Sequence, residues 1–276
     1  MKIRVISGAC FVAIVTGFFL LREFVDARLF SIFLWFLCTV GAFEMARAAR
    51  QKTGDGIYLI SVIFGFLTVP VYCVTEYFVC PGYGYVFALI TMLCALVFNL
   101  GLLTTNPNKK AVIGYATLDA LYPSALILFM LLINGLSGDK GFIAMLLTFV
   151  ISPFSDTFAY FVGSLCKGPK LCPRLSPKKT WSGAIGGTLG GAIGSVIVFF
   201  VFGKALGGYF TWWVFLLLGL VASVLTIIGD LFESFIKRRL EIKDMGKIMP
   251  GHGGVLDRID GTTFASVIIF ITFAVL

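Results

Sequence analysis

Nine stretches of this chain are apolar enough to be placed in a bilayer, and no other feature limits the fold so sharply. They lie near 5–21, 27–46, 57–75, 84–103, 112–134, 141–163, 183–203, 210–233 and 262–276. A bilayer core of about 30 Å takes roughly 20 residues of helix. Lipid offers no partner for backbone N–H and C=O groups, so apolar spans of this kind must be helical. A soluble domain needs a polar shell, and with 59% hydrophobic and only 13% charged residues there is no material for one. The expected fold is therefore an all-α polytopic integral membrane protein of about nine transmembrane helices. The first stretch follows Lys2 and Arg4 and runs into Arg22-Glu23 with no small-residue cleavage site, so it reads as a retained anchor.

The net charge of +8 sits in short connections between spans rather than on one basic face, which argues against nucleic acid as a partner. Of the 22 lysines and arginines, 18 fall on one side of the nine spans; only Arg22, Arg28, Lys140 and Lys204 fall on the other. The positive-inside rule makes the richer side cytoplasmic. The two longest polar loops, 164–182 and 234–261, lie on that side. Residues 1–135 then read as scaffold helices, and 136–276 as the catalytic region, with helices short or broken near a polar site on the cytoplasmic side. Seven scattered cysteines with no CxxC pair indicate neither a zinc site nor a disulfide framework. No internal repeat supports an inverted-repeat transporter.

Segment seven opens SGAIGGTLGGAIGS, with glycines at three- and four-residue spacing. Close helix packing explains them better than a phosphate loop, because the stretch is too apolar. Ionisable residues within spans carry more information. Asp119 lies near an interface and is balanced between structure and function. Asp156, with Ser152, Ser155 and Tyr160 at helical spacings and Pro153 loosening the backbone, reads as a cavity lining. Asp230, Glu233, Ser234 and Lys237 share one helix face near the cytoplasmic edge. Asp257 and Asp260 are three apart and precede a final stretch, 262–276, that is short for a full span. They are expected to face Asp230 across the bundle. Three converging carboxylates repel unless a divalent cation joins them, and oxygen ligands beside a basic loop favour Mg²⁺ over zinc.

Ser234, Lys237-Arg238, Lys243-Asp244, Gly246, Pro250, His252-Gly253-Gly254, Asp257-Arg258 and Asp260 together resemble the signature of the CDP-diacylglycerol synthases (phosphatidate cytidylyltransferases). SDTFAYFVG, SPKKT and GDLFESFIKR resemble further segments of that family in the expected order. The resemblance implies a Mg²⁺-dependent nucleotidyltransferase of phospholipid biosynthesis, embedded in the bilayer of a bacterial inner membrane with its site facing the cytoplasm. It would take CTP and phosphatidate and release CDP-diacylglycerol and pyrophosphate. On matching positions it implies Asp230 and Asp257 as metal ligands, and Asp260 as a ligand or a partner behind them. Lys178, Lys179 and Thr180 would hold the CTP phosphates, with Lys243, Asp244, Gly253, Gly254 and Arg258 completing the nucleotide site and Gly251 easing close approach. Lys237 and Arg238 would receive the phosphatidate headgroup. His252 is open between structural donor, nucleotide contact and acid for the leaving pyrophosphate. A second cation and a homodimer are left open. Ser182 stands where the family often has an acidic residue. The alternative enzyme is a CTP-dependent polyprenol or lipid kinase; a cation transporter would instead spread polar residues through the full membrane depth. A CDP-alcohol phosphotransferase fails on the residues following Asp260-Gly261.

Overall fold

The structure, a computed structural model, describes residues 2–103, 109–206, 210–251 and 253–276. Nine helical spans among these residues are long and apolar enough to cross a membrane. Their outward surfaces carry large apolar side chains such as Val12, Leu93, Phe200 and Leu217. Large apolar side chains exposed in this number suit lipid rather than water. The helices are α1 (Lys2–Phe24), α2 (Arg28–Thr53), α3 (Asp55–Val74), α4 (Gly84–Leu102), α5 (Lys109–Leu121), α6 (Ser124–Asn134), α7 (Gly138–Cys166), α8 (Trp181–Phe202), α9 (Trp212–Arg239) and α10 (Leu256–Val275). The fifth span is the broken one: α5 and α6 meet at Tyr122-Pro123, where proline supplies no N–H to continue the ladder.

The chain divides into two compact units, Met1–Leu131 with Ile242–Asp257, and Leu132–Glu241 with Arg258–Leu276. The segment 242–257, expected to work with the C-terminal half, thus packs with the N-terminal helices. In this first unit α2 is the central helix, with Phe30, Phe33, Leu34, Leu37 and Met45 fully buried. Phe18 stacks on Phe33 at 5.2 Å and Phe19 meets Phe30 edge-on at 5.0 Å, holding α1 to α2. Asn99 of α4 donates to Ser61 Oγ at 3.0 Å and to the Ala116 carbonyl at 3.3 Å, tying three helices with one buried amide. After α3 a π-helical turn, Thr75–Val79, presents Glu76 to the backbone N–H groups of Gly82 and Gly84, both at 2.9 Å.

The second unit is built on an antiparallel contact between α7 and α8. A methyl group added at Gly186 would sit 2.5 Å from Val162 Cβ, and one at Gly194 would sit 2.9 Å from Phe154 Cγ; Gly190 is closed in the same way by Phe158. Glycines four apart on α8 thus take side chains four apart on α7, and the packing reading of that stretch stands. Between these helices the expected loop 164–182 contains a two-stranded antiparallel hairpin, β1 (Lys170–Cys172) and β2 (Ser176–Thr180), with Lys170 opposite Thr180 and Cys172 opposite Ser176. The second expected loop is shorter than 234–261, because α9 runs on to Arg239 and α10 begins at Leu256. With 20 residues α10 is about 30 Å long, enough for a full span. Asp257 and Asp260 therefore stand on its first turns. Pro153, expected to loosen α7, lies within a continuous helix.

Gly186→Val should lower stability by about 1–3 kcal/mol through overpacking against Val162. Gly114→Ala, where nothing lies within 4 Å of the added carbon, should change it by less than about 0.5 kcal/mol. Thermal unfolding in detergent tests this, and equal midpoints for the two variants would show that the α7–α8 contact is not tight.

Candidate active site

In the second unit a cavity of about 600 Å³ opens between the end of α7, the hairpin, the start of α8 and the last third of α9. Pockets of this size hold small molecules up to nucleotides. Lys178, Lys179 and Thr180 of β2 line it, as does Asp230 of α9. So do Asp156, Tyr160, Lys167 and Lys170, which the sequence reading did not place among the site residues. Asp156 had been read as a cavity lining, and that is where it stands. Its signal was the polar stripe on α7. Lys167 and Lys170 had no signal beyond their charge, because nothing in the sequence shows the hairpin beside which the cavity forms.

The cavity is electrically divided. Lys179 Nζ lies 2.6 Å from Asp230 Oδ2, both partly buried. Asp156 shares the field of Asp230, Lys179 and Arg258. At the entrance to α8, Thr180 Oγ1 accepts the Gly183 N–H at 3.1 Å as an N-cap, and lies 3.2 Å from Ser182 Oγ. Ser182 Oγ in turn accepts the Gly168 N–H at 3.3 Å. Ser182 therefore pins the base of the hairpin, a task that needs an acceptor but no charge.

Deeper in the same unit lies a row of carboxyl groups. A methyl group at Gly261 would sit 2.5 Å from Thr226 Cγ2, 3.0 Å from Asp230 Oδ1 and 3.2 Å from Ser152 Oγ, so the bare glycine lets α7 and α9 close in on the start of α10. Asp260 Oδ1 accepts the Gly261 N–H at 2.8 Å, and its carboxyl is bonded to that of Glu233. Glu233 Oε2 then receives Lys237 Nζ at 2.8 Å. Lys237, expected to face a lipid headgroup, is mostly buried and committed to Glu233. Arg238 instead reaches the Leu175 carbonyl at 3.4 Å and lines a groove of about 800 Å³ with Arg174, Arg239 and Phe235. Asp230, Asp260 and Glu233 present carboxylate oxygens, the donor type that hard divalent ions take. Among the described residues no three His, Cys, Asp or Glu side chains form one metal-binding group. Of the expected trio, Asp230 and Asp260 lie in this unit and Asp257 in the first.

In the first unit Asp257 Oδ2 accepts the backbone N–H groups of Met245 at 3.0 Å and Gly254 at 2.7 Å, closing the loop 242–255. Met249 and Gly253 exchange two backbone bonds, at 2.9 and 3.2 Å. Gly253 has φ +92° and Gly251 φ +78°, values that side chains rarely adopt. Gly254 is pressed against the carboxylate of Glu44. These glycines were expected to admit phosphate; the fold already needs them for its own turns. Lys243 and Asp244 are exposed on the loop, as is Arg258 on α10. His252 lies outside the described residues. Glu44, a carboxylate inside an apolar span, is not among the residues singled out from the sequence. Asp119 is buried in α5, and neither of its carboxylate oxygens has a hydrogen-bond partner among the described residues.

Removing one member of the Lys179–Asp230 pair leaves a charge without its nearest compensation. Lys179→Met and Asp230→Asn should each destabilise, and the double variant should fall short of their sum by about 0.5–3 kcal/mol. A thermal-unfolding cycle measures this, and strict additivity would mean that the pair is not coupled.

A sequence profile described as the cytidylyltransferase family matches residues 2–276. A Helicobacter pylori (strain J99) protein named phosphatidate cytidylyltransferase is 33% identical over 266 residues, covering 96% of this chain and 89% of its own. A Bacillus subtilis (strain 168) protein of the same name is 30% identical over 277 residues, covering 99% and 98%. A Brucella abortus protein of that name is 42% identical over 142 residues, covering 51% of each chain. The chain thus spans about half the length of the Brucella relatives it matches.

Proposed function

The chain belongs to the cytidylyltransferase family, and from that premise we propose that it transfers CMP from CTP to phosphatidate, giving CDP-diacylglycerol and pyrophosphate. The observation that carries this reading is the cavity in which Lys178, Lys179 and Thr180 share one space with Asp156 and Asp230. Lysines suit a triphosphate, and carboxylates suit the cation that accompanies it. An oxygen of the phosphatidate phosphate attacks the α-phosphorus of CTP; the bond to the bridging oxygen breaks and pyrophosphate leaves with that electron pair. A phosphate monoester is already anionic near neutral pH, so no side-chain base is required. The demands are alignment and screening of charge. Asp230 and Asp260, with Ser152 Oγ beside the first, are the oxygen donors we assign to Mg²⁺, which when bound would neutralise part of the charge brought together by two phosphates.

Lys179 has a second part in this scheme. It neutralises Asp230 at 2.6 Å, and its long flexible stem lets it exchange that carboxylate for a nucleotide phosphate when one enters. The arginine groove is the matching feature for the lipid. Arg174, Arg238 and Arg239 offer guanidinium groups to a phosphate monoester, while Phe235 and Leu175 give acyl chains an apolar wall. The distribution of lysine and arginine supports placing the hairpin on the cytoplasmic face of an inner membrane.

Purified protein given phosphatidate and CTP labelled at the α-phosphorus should yield labelled CDP-lipid and unlabelled pyrophosphate in the presence of Mg²⁺. Lipid labelled only from the γ-phosphate, with CDP released, would establish the kinase reaction in its place. Asp230→Asn should reduce kcat by roughly 10²–10³. Arg238→Ala should raise KM for phosphatidate while leaving KM for CTP alone; a rise in the CTP value instead would remove the groove from the lipid's path. Cys166 and Cys172, at the end of α7 and on β1, should react with an impermeant thiol reagent only from the cytoplasmic side. Labelling of either from outside intact cells would reverse the orientation.

A further inference from the structure

Glu44 is a fully buried carboxylate on α2, with 1% of its surface exposed, in the half of the chain that carries none of the signature. Its two oxygens are engaged separately. Oε1 accepts the Val255 N–H at 3.1 Å and Oε2 accepts the Leu256 N–H at 2.9 Å, 211 and 212 residues away in sequence. These donors open α10, where backbone N–H groups lack partners within the helix and the helix dipole favours negative charge. Glu44 therefore caps α10 from another helix.

The loop is shaped around this carboxylate. A side chain at Gly246 would fall on Oε1, and one at Gly254 would fall on Oε2. Gly41, one turn earlier on α2, makes room for Pro123, whose Cγ would lie 2.7 Å from an added methyl group, while Leu256 Cδ1 would be in ordinary contact at 3.6 Å. Gly254 is held on two sides, with its N–H on Asp257 Oδ2 at 2.7 Å and its α-carbon against Glu44. Two carboxylates thus grip one turn: Asp257 from within the segment, Glu44 from the helix beneath it.

We propose that Glu44 is a positioning residue for the catalytic segment, fixing where α10 begins and hence how Asp257 and Asp260 leave the loop. It touches no substrate in this scheme. The proposal rests on the cytidylyl-transfer reading for its catalytic consequence, but the tether itself does not. Asp260, assigned above to the cation, sits one turn beyond Asp257 at the start of that helix, and a small displacement of reacting groups is costly in rate. A carboxamide at position 44 turns one acceptor into a donor facing an N–H, so Glu44→Gln is nearly isosteric and yet breaks the arrangement.

The test has two arms. In Glu44→Gln, amide hydrogen exchange at Val255 and Leu256 should accelerate at least tenfold, with the later turns of α10 unchanged. In the same variant kcat should fall roughly 10- to 100-fold, with KM for CTP and phosphatidate changed less than about twofold. A compensating pair guards against simple misfolding. Gly254→Ala should be impaired because its methyl group meets the carboxylate, and adding Glu44→Asp, which withdraws that carboxylate by one methylene, should restore part of the lost kcat. Unchanged exchange at Val255 and Leu256, or faster exchange with full kcat, would overturn the proposal, as would a double variant no better than Gly254→Ala. A wild type that makes no CDP-lipid would defeat the proposed function; the exchange arm would still decide whether Glu44 holds the loop.

Discussion

A carboxylate drawn out of water must be compensated, and the cost of leaving it alone inside a span is at least about 2.5–3.5 kcal/mol. Two kinds of compensation occur here. Glu44 and Asp257 are met by backbone N–H groups. Asp230 and Glu233 are met by the lysines Lys179 and Lys237. The kinds differ in what they permit. A backbone N–H is fixed by the fold, so a carboxylate bound to it shapes the chain and has little freedom to leave. A lysine carries its charge on a flexible stem, and can give up one anion when a better one arrives. The form of compensation therefore separates groups that hold a site from groups able to respond to a ligand.

Compensation of the second kind requires helices to come close enough for short side chains to meet. In lipid there is no hydrophobic force between helices to bring this about, and small residues at the contact take its place. Gly187 lets Ser155 approach α8, Gly191 lets α9 in beside Ser223, and Gly229 admits the backbone of α10 at Asp260. Each of these contacts would be lost to a single methyl group. The same run of glycines that looks like a packing face in sequence thus determines how near Asp156, Asp230 and Asp260 can stand to one another.

Much of this was legible in the sequence, for physical reasons that also mark where reading stopped. Apolar length gave the spans, and small-residue spacing gave the α7–α8 contact, because both are local properties of one segment. Asp230 could be singled out because charge is conspicuous in an apolar chain, and Lys178, Lys179 and Thr180 because SPKKT resembles a family segment. The hairpin could not: its strands are three and five residues long, too short for any alternation to show. The start of α10 was placed too late, since Asp257, Arg258 and Asp260 mask its first turns as loop. Lys237 was given to the lipid headgroup by the family resemblance, whereas in the fold it pairs with Glu233 one turn before it. Glu44 was overlooked for the opposite reason. Its partners are backbone N–H groups more than 200 residues away, and no side-chain pattern announces them.

The signature segment itself then divides by what each position faces. Gly246 and Gly254 meet a carboxylate from α2, Gly253 takes a left-handed turn, and Asp257 ties the loop closed. These residues are explained by the protein's own interior. Lys243 and Asp244 are not: they stand exposed on a loop whose backbone is pinned on both sides. Charged side chains carried on a rigid loop lose little further freedom when they bind, because the fold has already ordered the backbone beneath them. A sequence motif of this density need not consist of ligand contacts throughout. Part of it is the socket that makes the remaining positions effective, and in this chain that socket is completed by Glu44, which lies outside the motif.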